Sequence, residues 1–392
     1  METLAQLLES LSRPRPNGSH ACRRTLRDLC HYLDRQGIPH TLHTFRLYPF
    51  LLETFGAWII AWQTGLALAV WLQGGWATAA IALVGALIVI VEMGLRIPLL
   101  SHLGACQSDN LAIAWAPPRP RRELILCAHY DSKTELWDHR GRHLLLKGAV
   151  LFGLPATLAL GLAGPLEQYL QQTASPWAGH LYTLAAGLSI PQLLLCWSLG
   201  LNTVLGRLVR PSRGAADNGA ACAIVLEAAR RLYRGEVPLA RTKITCALFT
   251  GEEVGMQGSR AYVRQRAWPL PAAALNLEIM GQSGGYIVWQ REGHSLAWHA
   301  TDPDLNRALQ GAVEQVTGHP PQNRPEAVFT DAASFLQAGL PAATLSTLHP
   351  RLGDRGFHRP ADEPGRLDQQ SLRDGVDIVL AVVRAIDEAA AL

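Results

Sequence analysis

Two adjacent carboxylates, Glu252 and Glu253, follow the apolar run KITCALF in the stretch FTGEEVGMQGSR. Like charges side by side repel unless a cation or a shared proton lies near them. Other polar groups stand in the same kind of place. His129 and Asp131 follow RELILCA, and Glu278 closes the run in AALNLEIM. A donor set of imidazole nitrogen and carboxylate oxygen suits zinc or another divalent ion of borderline character. Two such ions sharing one bridging carboxylate would sit about 3.5–4 Å apart and clamp an attacking water. The paired glutamates could then divide the work, one holding metal and the other taking a proton from the water. Two nearby dications would also remove most of the repulsion between them.

These groups are far apart in the chain, so the fold must gather them. RELILCA, KITCALF, AALNLEIM and AATLSTL are short apolar runs of the kind found in buried strands, and HTLHTFRL and NLAIAWA alternate like half-buried ones. GSHACRRTLRDLCHYLDRQG reads as an amphipathic helix stopped by glycine, and DNGAACAIVLEAARRLYR as a second helix opening near Asp217. On local grounds alone Asp217 reads equally well as an N-cap. Strands alternating with helices predict an α/β fold, a mostly parallel mixed sheet with helices on both faces. Ligand sites in open α/β sheets lie outside the carboxyl ends of the strands. The polar groups that end these runs are therefore expected to face one crevice.

The 392-residue chain is 48% hydrophobic and only 17% charged, against about 25% charged in ordinary soluble domains. Part of it is expected to face something other than water. A net charge of +3 with no basic, aromatic-interleaved stripe argues against nucleic acid as a partner. Seven cysteines, none spaced C-x-x-C, argue against a disulfide framework or a thiolate zinc site. METLAQLLESLSRPRPNGSH lacks the apolar core of a secretory signal, so cytoplasm-facing chemistry is expected.

Four uncharged stretches, Thr54–Leu72, Gly74–Val91, Gly148–Leu166 and Leu181–Gly206, each reach the length needed to cross a bilayer core, roughly 18–20 residues. Trp58, Trp76, Trp177 and Tyr182 lie near their ends, as interfacial aromatic residues do. They pair into two hairpins, 54–91 and 148–206, whose tips carry no Lys or Arg. The opposite flanks carry Arg46, Arg96, Arg140, Arg142, Lys147, Arg207, Arg210 and Arg213. The positive-inside rule then predicts a multi-pass protein with the lipid bilayer as partner and its bulk in the cytoplasm.

The motifs together resemble the M28 zinc peptidases. AHYDS (128–132) is similar to that family's first metal motif, GAADNGA (214–220) to its G-A-D-D-N-x-S, and NLEIMG (276–281) to N-x-D-M-x-G. GEEVGMQGSRAYV (251–263) matches closely, and TDAASFLQAGLPA with FHRPADEPGRLD resembles the C-terminal signature. The resemblance implies a zinc-exopeptidase-like fold and two zinc ions per chain. It makes His129, Asp217, Glu253, Glu278 and His358 the metal ligands, with Asp217 bridging. His129 and Glu278 would serve one ion, and Glu253 and His358 the other. Glu252 becomes the general base, Asp131 the group orienting His129, and Asp362 the partner of His358. His349 competes for the last ligand position, but the HRPAD context favours His358.

The sequence departs from the pattern at Glu278, where the family usually has Asp, and at Ala216, where Asp is common. The hairpins are insertions relative to the typical secreted enzyme. The implied organisation is an N-terminal tail or helix (1–17) and a peptidase domain (18–392) interrupted at 54–91 and 148–206. The implied activity is aminopeptidase hydrolysis of peptides by a metal-bridged hydroxide. The alternatives are a single-zinc glutaminyl-cyclase-like enzyme and a non-catalytic membrane scaffold. Reporter fusions after Gly75 and after Leu392 should report opposite sides of the membrane. Both reporting the extracytoplasmic side would contradict the spanning arrangement.

Overall fold

The computed structural model describes residues 4–294, 297–349 and 356–389. It separates into two compact units, one of residues 1–49, 106–134 and 211–392, the other of residues 50–105 and 135–210.

The first unit is built on one sheet. Among the described residues its strands are β1 (Thr41–Leu47), β2 (Cys106–Trp115), β3 (Arg122–His129), β4 (Thr242–Phe249), β5 (Ala272–Glu278), β6 (Tyr286–His294), β7 (Ala297–Ala300), β8 (Gln322–Val328) and β9 (Ala342–Thr347). Their order is β1-β2-β4-β3-β5-β9-β6-β7, with β8 pairing β6. The centre, β4-β3-β5-β9, is parallel, as the alternation of strands and helices predicts. The flanks are antiparallel apart from the β6–β8 pair. "Mostly parallel" therefore overstates the sheet, which is parallel in its middle and mixed at its sides. The difference lies in the pairs β1–β2, β2–β4, β6–β7 and β6–β9, all antiparallel, and β7 and β8 carry no buried apolar run for a pattern to find. β7 is exposed throughout, and β8 (QNRPEAV) is polar, largely exposed and contains a proline.

Burial explains the rest. Successive side chains of β3 alternate between two faces. Leu124, Leu126 and Ala128 enter the larger core, with Leu26, Leu29 and Leu33 of helix His20–Gln36, Ile224 and Leu226 of helix Ala220–Tyr233, and Val376, Val379 and Val383 of helix Gln369–Glu388. Ile125 and Cys127 enter the smaller core, with Phe249, Tyr262 of helix Gln257–Gln265 and Phe335 of helix Ala332–Gln337. Helices thus cover both faces. The N-terminal helix Leu4–Leu11 also buries Leu7, Leu8 and Leu11 in the larger core.

Register brings the polar ends of the central strands level. His129 lies opposite Phe249, and Cys127 opposite Asn276, so Glu278 ends β5 beside the end of β3. The turn after β4 is held by a close approach. A Cβ at Gly258 would fall 2.1 Å from the Thr250 carbonyl oxygen and 2.5 Å from Asn110 Oδ1. Only glycine lets helix Gln257–Gln265 start that close to the strand end. Asn110 closes the same turn by donating to the Gly258 carbonyl at 2.9 Å and accepting from the Thr250 N–H at 3.3 Å.

The second unit contains four helices long and apolar enough to cross a membrane: Leu51–Trp71, Trp76–Gly94, His139–Gln172 and Trp177–Val204. Their outward side chains are apolar, among them Leu83, Leu158, Leu162 and Leu194, the reverse of a surface helix in water. Polar groups are turned inward. The Gln192 side-chain amide donates to Thr157 Oγ1 at 2.8 Å and to the Gly153 carbonyl at 3.0 Å, and Gln63 donates to Thr157 Oγ1 at 3.2 Å.

Candidate metal centre

Four of the groups singled out in the sequence stand at or just after the ends of central strands of the first unit, and Asp217 and His358 lie in loops. His129 is the last residue of β3, and Glu278 the last of β5. Glu252 and Glu253 lie in the turn after β4. Asp217 lies in the loop 214–219 that leads into helix Ala220–Tyr233, and its backbone is not helical (φ −115, ψ 87). Gly219, not Asp217, directly precedes that helix, so the N-cap reading of Asp217 does not hold. His358 belongs to the turn beyond β9 and is itself left-handed, with φ +57. Ile279, next to Glu278, has φ +56, an uncommon conformation for a β-branched residue.

The side chains converge. His129 Nε2 is 3.3 Å from Asp217 Oδ1, 3.3 Å from Glu278 Oε1 and 3.8 Å from Glu252 Oε2. His358 Nε2 is 3.1 Å from Asp217 Oδ2 and 3.0 Å from Glu253 Oε2. Donor atoms of His129, Asp217 and Glu278 lie within 4.8 Å of one another, as do those of Asp217, Glu253 and His358. Asp217 belongs to both groups and turns one oxygen to each.

A second layer fixes these donors. Asp131 Oδ1 lies 3.5 Å from His129 Nδ1, leaving Nε2 to face the carboxylates. Its Oδ2 accepts from the Asn17 amide at 2.6 Å and from the Glu253 N–H at 3.1 Å. One carboxylate thus aligns donors of both groups. Asn218 donates to Glu278 Oε2 at 3.2 Å. Asp362 accepts from the Ala216 N–H at 2.6 Å and the Asp217 N–H at 3.2 Å. It therefore holds the loop of Asp217, where the resemblance had it partner His358. The fully buried Arg15 donates to the carbonyls of Tyr130 at 2.7 Å and Gly214 at 2.8 Å, tying the end of β3 to that loop. At Gly214 φ is +60, and a Cβ would lie 2.7 Å from the Asp217 carbonyl oxygen and from Ser132 Cβ.

Arg15, Asn17 and Asn110 carry no motif. Their contacts join residues more than a hundred positions apart, and spacing along the chain does not register them. Asp331 lies in the segment TDAASFLQAGLPA, and the motif resemblance gives it no role. It is buried, neither of its oxygens accepts a well-aligned hydrogen bond, and burial pushes its carboxyl up to about 7.

The electrostatics follow from crowding. Burial opposes a charge on His129, but Glu278, Glu252, Asp131 and Asp217 outweigh it and hold the imidazole pKa well above its ordinary value. Burial also opposes charge on Asp217, and the two histidines overcome it, drawing its carboxyl far below the usual range. Glu252 goes the other way. Burial raises it well above the carboxylate range, His129 opposes this, and Glu278, Glu253 and Asp331 add to the rise. Neighbouring carboxylates pushed in opposite directions are suited to opposite tasks.

The site fits a divalent cation. Asp217 Oδ1 and Glu253 Oε1 are buried without a hydrogen-bond donor, and buried acceptors are rarely left so. The nearby thiols are engaged elsewhere, Cys127 with Asn276 and Cys222 with the His129 carbonyl. The donors are thus nitrogen and oxygen only, as zinc accepts.

Fold and site together define an α/β protein with a candidate two-cation centre at the carboxyl ends of its central strands. The sequence profile described as Peptidase family M28 matches residues 199–383, a span that includes every candidate ligand except His129. No curated protein sequence matches the chain. Its fold is similar to that of a glutaminyl cyclase of Fimbriiglobus ruber, at 16% identity, 97% of this chain, 93% of that one and a TM-score of 0.56. It is likewise similar to an aminopeptidase of Aneurinibacillus sp. strain AM-1, at 14% identity, 97% and 92% coverage and a TM-score of 0.54. A zinc aminopeptidase of Bacillus subtilis matches at 18% identity over 71% of this chain with a TM-score of 0.44, and this chain spans only 50% of its length.

Replacing Asp131 with Asn removes the charge facing His129 and weakens the acceptor for Asn17 and Glu253. Zinc affinity should fall about 10- to 100-fold, measured by competition with a chromogenic chelator while circular dichroism reports an unchanged fold.

Proposed function

We propose that the chain is a membrane-anchored, zinc-dependent metallopeptidase acting as an aminopeptidase, with its catalytic residues on the cytoplasmic side. One observation carries this reading: Asp217 lies between two donor groups, and Glu252, adjacent to the ligand candidate Glu253, is a partly exposed carboxylate with a raised pKa at their edge, 3.8 Å from His129. The profile match and the aminopeptidase fold likeness support it. The four apolar helices and the flanking cations support the anchoring.

His129, Glu278 and Asp217 would hold one zinc ion, and His358, Glu253 and Asp217 the other. Bound zinc would supply a Lewis acid for the scissile carbonyl and lower the pKa of water toward neutrality. Glu252 accepts a proton as a water oxygen attacks the carbonyl carbon. As the carbon–nitrogen bond breaks, Glu252 returns that proton to the leaving amine. Asp131 keeps the His129 Nδ1 proton in place, and Asp362 keeps Asp217 between the two groups.

The test is turnover of aminoacyl amides by purified full-length protein with bound zinc. Glu252→Gln should retain the metal and lose about 10²- to 10⁴-fold in kcat, and a strong chelator should abolish wild-type activity. Wild-type activity indifferent to both would refute the proposal. Cyclisation of N-terminal glutaminyl peptides with no hydrolysis would instead select the glutaminyl-cyclase reading.

A further inference from the structure

The helical unit gathers cations at one end while its acids there are engaged internally. Helices Leu51–Trp71 and His139–Gln172 begin at this end, and helices Trp76–Gly94 and Trp177–Val204 finish there. The segment before helix His139–Gln172 is fastened to it. The Trp137 N–H donates to Asn202 Oδ1 at 2.7 Å, and its indole N–H donates to the Ser198 carbonyl at 3.2 Å.

The buried Glu92 accepts from the backbone N–H groups of Leu99, Leu100 and Ser101 at 2.6, 2.8 and 3.1 Å. Glu135, also buried, pairs with Arg142 at 3.0 Å. Asp138 accepts from the Gly141 N–H at 2.7 Å, capping the helix that follows. Arg140, Lys147 and Arg210 are by contrast exposed, and no partner occupies them among the described residues. Large apolar side chains are exposed on the same segments, Leu103 at 79%, Leu144 at 72% and Leu208 at 80%.

We propose that this end of the helical unit is a binding surface for anionic phospholipid, with Arg140, Lys147 and Arg210 on the headgroup phosphates and Leu103, Leu144 and Leu208 in the acyl boundary. The proposal rests on the reading that the four helices span a bilayer. Unpaired cations interleaved with exposed leucines fit a membrane interface, where long basic side chains reach outward to the headgroups and apolar ones stay in. The exposed cations favour an anionic headgroup, and a zwitterionic one gains less from them.

Full-length protein is reconstituted in phosphatidylcholine bilayers containing either brominated phosphatidylglycerol or brominated phosphatidylcholine. Quenching of its tryptophan fluorescence reads the relative affinity for the two lipids. Wild-type protein should prefer phosphatidylglycerol. The preference should fall about fivefold for each cation removed among R140Q, K147Q and R210Q, and raised salt should weaken it. Quenching by both lipids with no preference, or a preference that the triple variant retains, would overturn the surface while leaving the spanning reading intact. Absence of quenching by either lipid would overturn both.

Discussion

The site depends on the position of one carboxylate. Asp217 reaches His129 with one oxygen and His358 with the other, and so joins donors from β3 and β5 to donors from the turns after β4 and β9. The loop that carries it is not regular structure, so its place must be imposed from outside. Asp362 takes the N–H groups of Ala216 and Asp217, Arg15 takes the Gly214 carbonyl, and Gly214 permits the close turn between them. Movement of that loop would leave two half-sites, each with an unpaired buried charge.

The same crowding sets the energetics. Asp217, Glu252, Glu253 and Glu278 share one volume with only two imidazoles among them. Buried carboxylates this close oppose one another's ionisation, which is the cost implied by the adjacent glutamates in the sequence. Two divalent cations would neutralise the ligating carboxylates and leave Glu252 as the one free to exchange a proton. Folding and metal binding would then be linked, because donors gathered in the native state are dispersed in the unfolded chain.

Legibility followed the physics of each element. Strands β3, β4, β5 and β9 were readable because central parallel strands are buried on both faces and appear as short apolar runs. His129, Glu252, Glu253 and Glu278 were readable because they interrupt such runs at their ends. Asp217 and His358 rested on motif resemblance alone, since the first sits in an irregular loop and the second in a left-handed turn. The short, exposed β7 and the polar, largely exposed β8 gave no periodic signal. Arg15 and Asn17 act through contacts to Tyr130, Gly214 and Asp131 that only the folded chain creates. Asp362 was found, but its partner is the Asp217 backbone, a distinction no spacing rule could draw.

Anomalous scattering at the zinc edge, from crystals of the full-length protein grown with zinc, would test the central claim most directly. Two peaks should flank Asp217, one beside His129 and Glu278 and the other beside His358 and Glu253. A map with no peak among these five residues, or with zinc only at other side chains, would contradict the account.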